Sequence, residues 1–369
     1  MSNEKIGNIE AIALILTIMI NHIILNLPKN IIQSTSSGAI INVIFISLIA
    51  LGIVFLICKL WQKFPNQDII DISEFLGGRF LKSFVGILFF SYAFFTIVTI
   101  LRSFSEGMKI IFFPRTPVPI IMLLFLTSVI ITNKRGLSGI SRANLFFMPI
   151  VLFSIFFIFI ANLEHFVPQR IFPLLGNGAF STFFSGLSNL FAFGGISYLY
   201  LIPPYLKDHN KFTKVGLISI GISGFYLLLS VTTLVFMFPF VTNTLEIFPM
   251  YLASRFIEFG RFFQRLDAVF LLVWIISMIA YLSTSVYFGS KIFQKTTNLR
   301  YNKWITPLLS ALIFCSSLLP ENMTYVNFLE NTVYKYIVLI FIFILGISIL
   351  VFANLKNKSS KNKKGVTQK

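Results

Sequence analysis

Long apolar stretches alternate with short polar ones along the whole chain and define ten candidate spans: residues 9–27, 38–60, 83–105, 117–133, 143–162, 186–205, 215–238, 266–289, 304–320 and 333–354. A helix needs about 20 apolar residues, at ~1.5 Å each, to cross the hydrocarbon of a bilayer. Most of the stretches reach that length, and 117–133 is the short one. The pattern predicts an all-α integral membrane protein of about ten transmembrane helices. Residues 1–354 form the membrane domain and residues 355–369 a basic tail.

Two of the stretches are interrupted. The first, IEAIALILTIMINHIILNL, contains Asn21, His22 and Asn26 before Pro28 closes it. Half a chain later, residues 190–205 read LFAFGGISYLYLIPPY, with Gly194-Gly195 inside and Pro203-Pro204 near the end. Irregular backbone at membrane depth is tolerated where it lines a cavity, and paired interruptions in corresponding halves point to a transporter-type binding site. The alternative is structural: a polar cluster packed between helices, and small residues for close helix approach.

Composition agrees with the pattern. Of 369 residues 56% are hydrophobic and 12% charged, with a mean hydropathy of +0.85. Soluble domains carry about 25% charged residues. The net charge of +17 reads as topology and not as a nucleic-acid footprint. With the N terminus in the cytoplasm, 21 of the 30 lysines and arginines fall on the inner side of a ten-span chain, both termini included. Three of the rest, Arg255, Arg261 and Arg265, share the long outer connection 241–265, whose mixed apolar and charged pattern fits an interfacial helix or a partner-binding face. The inner connection before span three holds a short amphipathic segment with Asp71, Glu74 and Arg79. The lysine- and serine-rich tail predicts disorder beside anionic membrane lipid. No cleavable leader is expected, because the first span is longer than a signal-peptide core and no small-residue cleavage site follows it.

Candidate chemistry is sparse. Glu10 suits the start of the first helix as a cap. Arg102 and Glu106 are four apart, on one helix face, and fit a mutual pair, an outer gate or interfacial snorkelling. Arg265 and Asp267 open span eight and suit a structural or gating role. Further along span eight, Ser283, Thr284, Ser285 and Tyr287 offer hydroxyls that either meet a cation or ligand or bond back to their own helix. Tyr92 and Thr96 are four apart on span three. Cys58, Cys315 and the scattered His22, His165 and His209 give no metal spacing and no disulfide framework. No nucleophile elbow, phosphate loop or paired acids are present, so neither catalytic residues nor a cofactor are expected.

Short motifs in order then give a family resemblance. They are Leu25-Asn26-Leu27-Pro28, Lys63-Phe64-Pro65 after Trp61-Gln62, Glu74-Phe75-Leu76-Gly77 and the Arg102/Glu106 pair. Phe113-Pro114-Arg115-Thr116-Pro117, Gly195 with Pro204-Tyr205, and Gln264-Arg265-Leu266-Asp267 follow. With the ten-span count, the chain resembles, over roughly residues 5–355, the B subunits of bacterial spore germinant receptors. These spore permeases are similar to amino acid/polyamine/cation transporters.

The resemblance implies a LeuT-like 5+5 inverted repeat with a pocket at the breaks of spans one and six. The ligand-binding residues carried over by position are Asn21, Ile23, Ile24, Tyr92, Thr96, Gly194, Gly195, Ile196, Ser197, Ser283, Thr284 and Tyr287. It also implies a small-molecule germinant, an A subunit and a lipoprotein C subunit as partners, and the spore inner membrane as location. A germinant sensor is the expected function, and an ion-coupled amino-acid transporter the alternative. This chain departs from the family twice. Asn21 and Ile23 stand where a G-x-G is usual, and Ser197 where an acid is frequent in span six, so a possible ammonium partner is missing.

Overall fold

The computed structural model of the protein describes residues 4–245, 248–258, 267–299 and 303–366, and these are almost wholly helical. Helix α1 (Asn8–Ile24) starts after Gly7, whose amide donates to Glu10 Oε2 at 2.7 Å, so Glu10 is a cap. It ends at Leu25 (φ −75°, ψ −119°), and α2 (Leu27–Thr35) restarts after Asn26. Pro28 stands in the first turn of α2, where a missing N–H breaks no helical bond. The proline therefore opens the second half of a broken helix; the sequence reading had it close the first.

Helix α3 (Ala39–Trp61) follows. Helix α4 (Ile69–Ile111) joins the amphipathic segment before span three to the span itself. The two parts meet at an elbow, Gly77-Gly78, where Gly78 takes φ +68°, a region that costs most other residues about 1 kcal/mol or more. Helices α5 (Val118–Asn133) and α6 (Gly136–Ala161) complete the first half. The second half begins with a tightly wound, largely 3-10 helix, Ser185–Tyr200. It continues with α7 (Phe212–Met237), α8 (Phe240–Leu245), α9 (Pro249–Arg255), α10 (Asp267–Thr297), α11 (Ile305–Ser317) and a final rod, Met323–Lys358. Among the described residues six helices are long and apolar enough to cross a membrane, and α1, α5 and α11 are shorter apolar helices. With Ser185–Tyr200 added, every one of the ten expected stretches lies on a helix.

Helix α1 is the axis. Its residues from Ala13 to Asn21 are all buried, and it packs against α6, α7, α10 and the Ser185–Tyr200 helix. Exposed apolar side chains such as Leu48, Phe55, Leu124, Phe146 and Phe153 cover the outside, as lipid contact requires.

At the end carrying the N terminus, residues 4–7 strap across the bundle. The Ile6 amide donates to Tyr205 O at 2.8 Å, and the Lys207 amide donates to Ile6 O at 3.0 Å. Glu4 Oε2 accepts from the Leu137 amide (2.7 Å) and from Tyr287 Oη (2.9 Å). Beside this strap, Asp68 caps α4 by accepting from the Ile70 and Asp71 amides, and Lys295 Nζ of α10 donates to Asp68 and, at 2.7 Å, to Asp71. Burial pushes the Asp68 carboxyl up to about 6, against the pull of Lys295 and with a smaller push from Asp71.

The structure adds to two expectations. The connection 241–265, read as an interfacial helix or a partner-binding face, forms α8 and α9 in its described part, and these pack on the bundle. Phe248 and Met250 are buried, and the Phe248 ring meets Trp274 at 5.3 Å, because these apolar side chains find protein partners in α4 and α10. The tail, expected to be disordered, continues the last helix to Val366, consistent with the good helix propensity of lysine.

The acid cluster yields a test. Because the folded carboxyl of Asp68 lies above its unfolded value of ~3.9, its neutral form is favoured. Its contribution is complete below that value and lost as pH rises through about 6. Lys295→Met removes the offsetting cation. The variant should lose about 1–3 kcal/mol of stability above pH ~6 and progressively less toward pH ~4, read as thermal unfolding of detergent-solubilised protein at several pH values. A loss that is constant with pH would contradict this.

Candidate functional site

The two interruptions face one another. Backbone helicity fails at Leu25 in the first broken helix and at Phe193 (φ −93°, ψ 29°) in the Ser185–Tyr200 helix. Beyond Phe193, Gly195 lies so near α1 that a Cβ there would sit 2.6 Å from Met19 Cγ. The Gly194 carbonyl accepts from two side chains: Ser197 Oγ donates at 2.8 Å and Tyr92 Oη at 3.3 Å. This follows the rule that helix breaks at membrane depth must find internal partners.

A column of rings runs past the breaks. His22 stacks on Tyr334 with centroids 5.8 Å apart, Tyr334 on Tyr92 at 6.3 Å, and Tyr92 on Phe341 at 6.1 Å. Tyr281 meets His22 edge-on at 5.6 Å. The rings divide the core into small cavities. One of about 20 Å³ lies between the α1 break (Leu25, Asn26), His22, Phe191, Glu330 and Tyr334. A second, of about 10 Å³, is bounded by Ile18, Tyr92, Thr96, Gly194, Gly195 and Tyr198, and shares His22 and Tyr334 with the first. A third, also about 10 Å³, lies between Phe89, Tyr92, Ser197, Tyr198 and Phe288. Each has room for roughly one water molecule. A nutrient-sized ligand enters only if the His22, Tyr334 and Tyr92 rings part.

Of the positions singled out from sequence, the structure gathers Tyr92, Thr96, Gly194, Gly195 and Ser197 around these cavities. It places the others elsewhere. Asn21 Nδ2 ties α1 to α10 by donating to Ser277 O (3.0 Å) and Ser277 Oγ (2.8 Å). Ile23, Ile24 and Ile196 are buried among apolar side chains. Thr284 accepts from Asn144 Nδ2 of α6 at 2.9 Å, and the Ser283 backbone carbonyl accepts from Asn133 of α5 at 3.1 Å; neither residue lines the cavities. Tyr287 reaches Glu4 at the strap.

At the opposite end of the bundle, Arg102 and Glu106 pair at 2.6 Å, and Arg102 also donates to the Ser317 and Glu321 carbonyls at 3.3 Å. Asp267 accepts from Tyr251 Oη at 3.4 Å, and Arg265 lies outside the described residues.

Sequence reasoning missed Tyr198, Tyr281, Glu330 and Tyr334. Glu330 and Tyr334 are four apart on the last helix and so share a face. The signal was an acid beside a long apolar run. It was passed over because the span was started at 333, whereas the helix starts at Met323.

Comparison with known proteins agrees with this architecture. The profile of the family described as spore germination protein matches residues 5–326. The chain belongs to that family. Spore germination protein KB of Bacillus subtilis (strain 168) is 26% identical over 331 residues, 86% of this chain and 87% of that protein. Spore germination protein XB of Bacillus anthracis is 22% identical over 369 residues, 97% of this chain and 99% of that protein.

Among solved structures, MhsT in complex with L-phenylalanine aligns with a TM-score of 0.68 at 12% identity, over 95% of this chain and 99% of that one. Mhp1, a nucleobase-cation-symport-1 family transporter in a closed conformation with bromovinylhydantoin bound, aligns at 0.61 and 12% identity, over 89% and 75%. The chain of this spore germination family member has the LeuT-like transporter fold, two inverted five-helix repeats, as the motifs led one to expect.

The close approach at Gly195 is testable. Gly195→Val should cost about 1–3 kcal/mol of thermal stability by driving α1 from the Ser185–Tyr200 helix. Gly221→Ala, with open space around its Cβ, should stay within about 0.5 kcal/mol of the parent protein.

Proposed function

We propose that this protein is the germinant-sensing membrane subunit of a spore germination receptor. A small nutrient enters the cavities at the two helix breaks, parts the aromatic column and shifts the bundle between two arrangements. The observation that carries this reading is the meeting of both breaks at ring-separated cavities in the centre of a transporter-type fold. Family membership supports it, because the relatives are spore germination proteins. The chain lies in the spore inner membrane with its lysine-rich end and both termini in the cytoplasm. It passes the change to a larger A subunit and a lipoprotein C subunit.

Ion-coupled amino-acid transport is the second reading, favoured by the fold shared with a Na+-coupled sialic acid symporter at a TM-score of 0.63. Ion-driven accumulation of amino acid by the isolated chain in proteoliposomes would replace the sensor by a transporter.

Spores carrying Tyr92→Leu should need at least about tenfold more nutrient for half-maximal germination at unchanged protein abundance, since about 1.4 kcal/mol of lost contact energy is a factor of ten. Ser283→Ala, away from the cavities, should leave the dose response within about threefold. An unchanged response in Tyr92→Leu spores would move recognition to a partner subunit.

A further inference from the structure

Glu330 lines the cavity at the α1 break, with Asn26, His22, Phe191 and Tyr334. Its carboxylate lies beside the Asn26 and Ser103 side chains, and among the described residues no lysine or arginine pairs with it. Arg102, one residue from Ser103, is taken by Glu106 and two carbonyls. Lys335 Nζ stands 5.8 Å from the Phe191 ring. Asn26 is 4% exposed, lines the same cavity and leaves its Oδ1 without a hydrogen-bond partner. A carboxylate without a cation and a buried amide oxygen without a donor are both costly inside a membrane. One group relieves both: a cation with several N–H donors.

We infer that this cavity is the ammonium subsite of the ligand. The Glu330 carboxylate and Asn26 Oδ1 accept from a protonated primary amine. The inference rests on reading the cavities as the ligand site, and it adds the ligand class: small molecules carrying a protonated amine. The two acceptors come from opposite halves of the chain, Asn26 just before α2 and Glu330 on the final rod. The bound amine therefore ties the two repeats together at the break, with the ligand body toward the Tyr92–Gly195 cavity.

The test uses the purified full-length chain in nanodiscs, with thermal stabilisation as readout. The probes are matched triplets: L-alanine, ethylamine and propionate; L-leucine, 3-methylbutylamine and 4-methylpentanoate; L-phenylalanine, phenethylamine and 3-phenylpropionate. In at least one triplet the two amines should stabilise the parent protein and the deaminated acid should not. Glu330→Gln should raise the half-maximal amine concentration at least about tenfold, and Glu330→Asp should recover most of that loss.

Equal midpoints for Glu330→Gln and the parent protein, equal binding of the deaminated acids, or no stabilisation by any amine would overturn the inference. Stabilisation by NaCl or KCl alone that disappears in Glu330→Gln would also overturn it, by assigning the carboxylate to an inorganic cation. Tyr92→Leu separates this failure from failure of the site itself. If it abolishes stabilisation while Glu330→Gln does not, the cavities remain the ligand site and only the ammonium assignment falls.

Discussion

A helix that crosses a membrane cannot leave its backbone unsatisfied, and this molecule is arranged around two places where helical bonding fails there. At Leu25-Asn26 the chain stops one helix and starts another. At Phe193 it departs from helical angles, and the neighbouring Gly194 carbonyl accepts from the Ser197 and Tyr92 side chains. Both breaks survive because they are enclosed. Helices α4 and α10 and the final rod supply the rings and hydroxyls that replace water. The need to satisfy a broken backbone thus brings five elements to one point and fills that point with polar and aromatic groups, which is also what a small-molecule site requires.

Polar contacts close the bundle at both ends. At one end the strap joins Ile6 to Tyr205 and Lys207, and Glu4 to α6 and α10. At the other, Arg102 joins α4 to the carbonyls of Ser317, at the end of α11, and of Glu321 beyond it. These are polar contacts between separate elements, individually worth about 1–3 kcal/mol. A ligand that separates the central rings changes the spacing of the same helices. The fold therefore couples the cavities to either end through rigid elements, with the elbow at Gly77-Gly78 as a place where α4 can bend.

The spans were legible because about twenty apolar residues in a row have few other uses, and because lysine and arginine mark one side. The breaks were legible for the same reason: Asn26-Leu27-Pro28 and Gly194-Gly195 are anomalies in apolar runs. What could not be read was rotation about each helix axis. Thr284 and Tyr287 have the right residue types and depth, yet α10 turns their side chains toward Asn144 and Glu4, and Ser283 lies outside the cavity linings. Ile23 and Ile24 immediately precede the break but are buried in apolar packing. Glu330 escaped notice because the polar residues before 333 look like a loop, while tertiary packing against α4 and the Ser185–Tyr200 helix keeps them helical. Side-chain direction and helix extension depend on neighbours distant in sequence, and a single chain's pattern does not carry them.

Hydrogen–deuterium exchange on the full chain in nanodiscs, with and without the nutrient that germinates its spores, tests the central claim most directly. If the cavities at the two breaks hold the ligand, amide protection should rise at residues 22–30 and 190–200 together, more than anywhere else in the chain. Protection confined to another region, with both breaks unchanged at saturating nutrient, would contradict it.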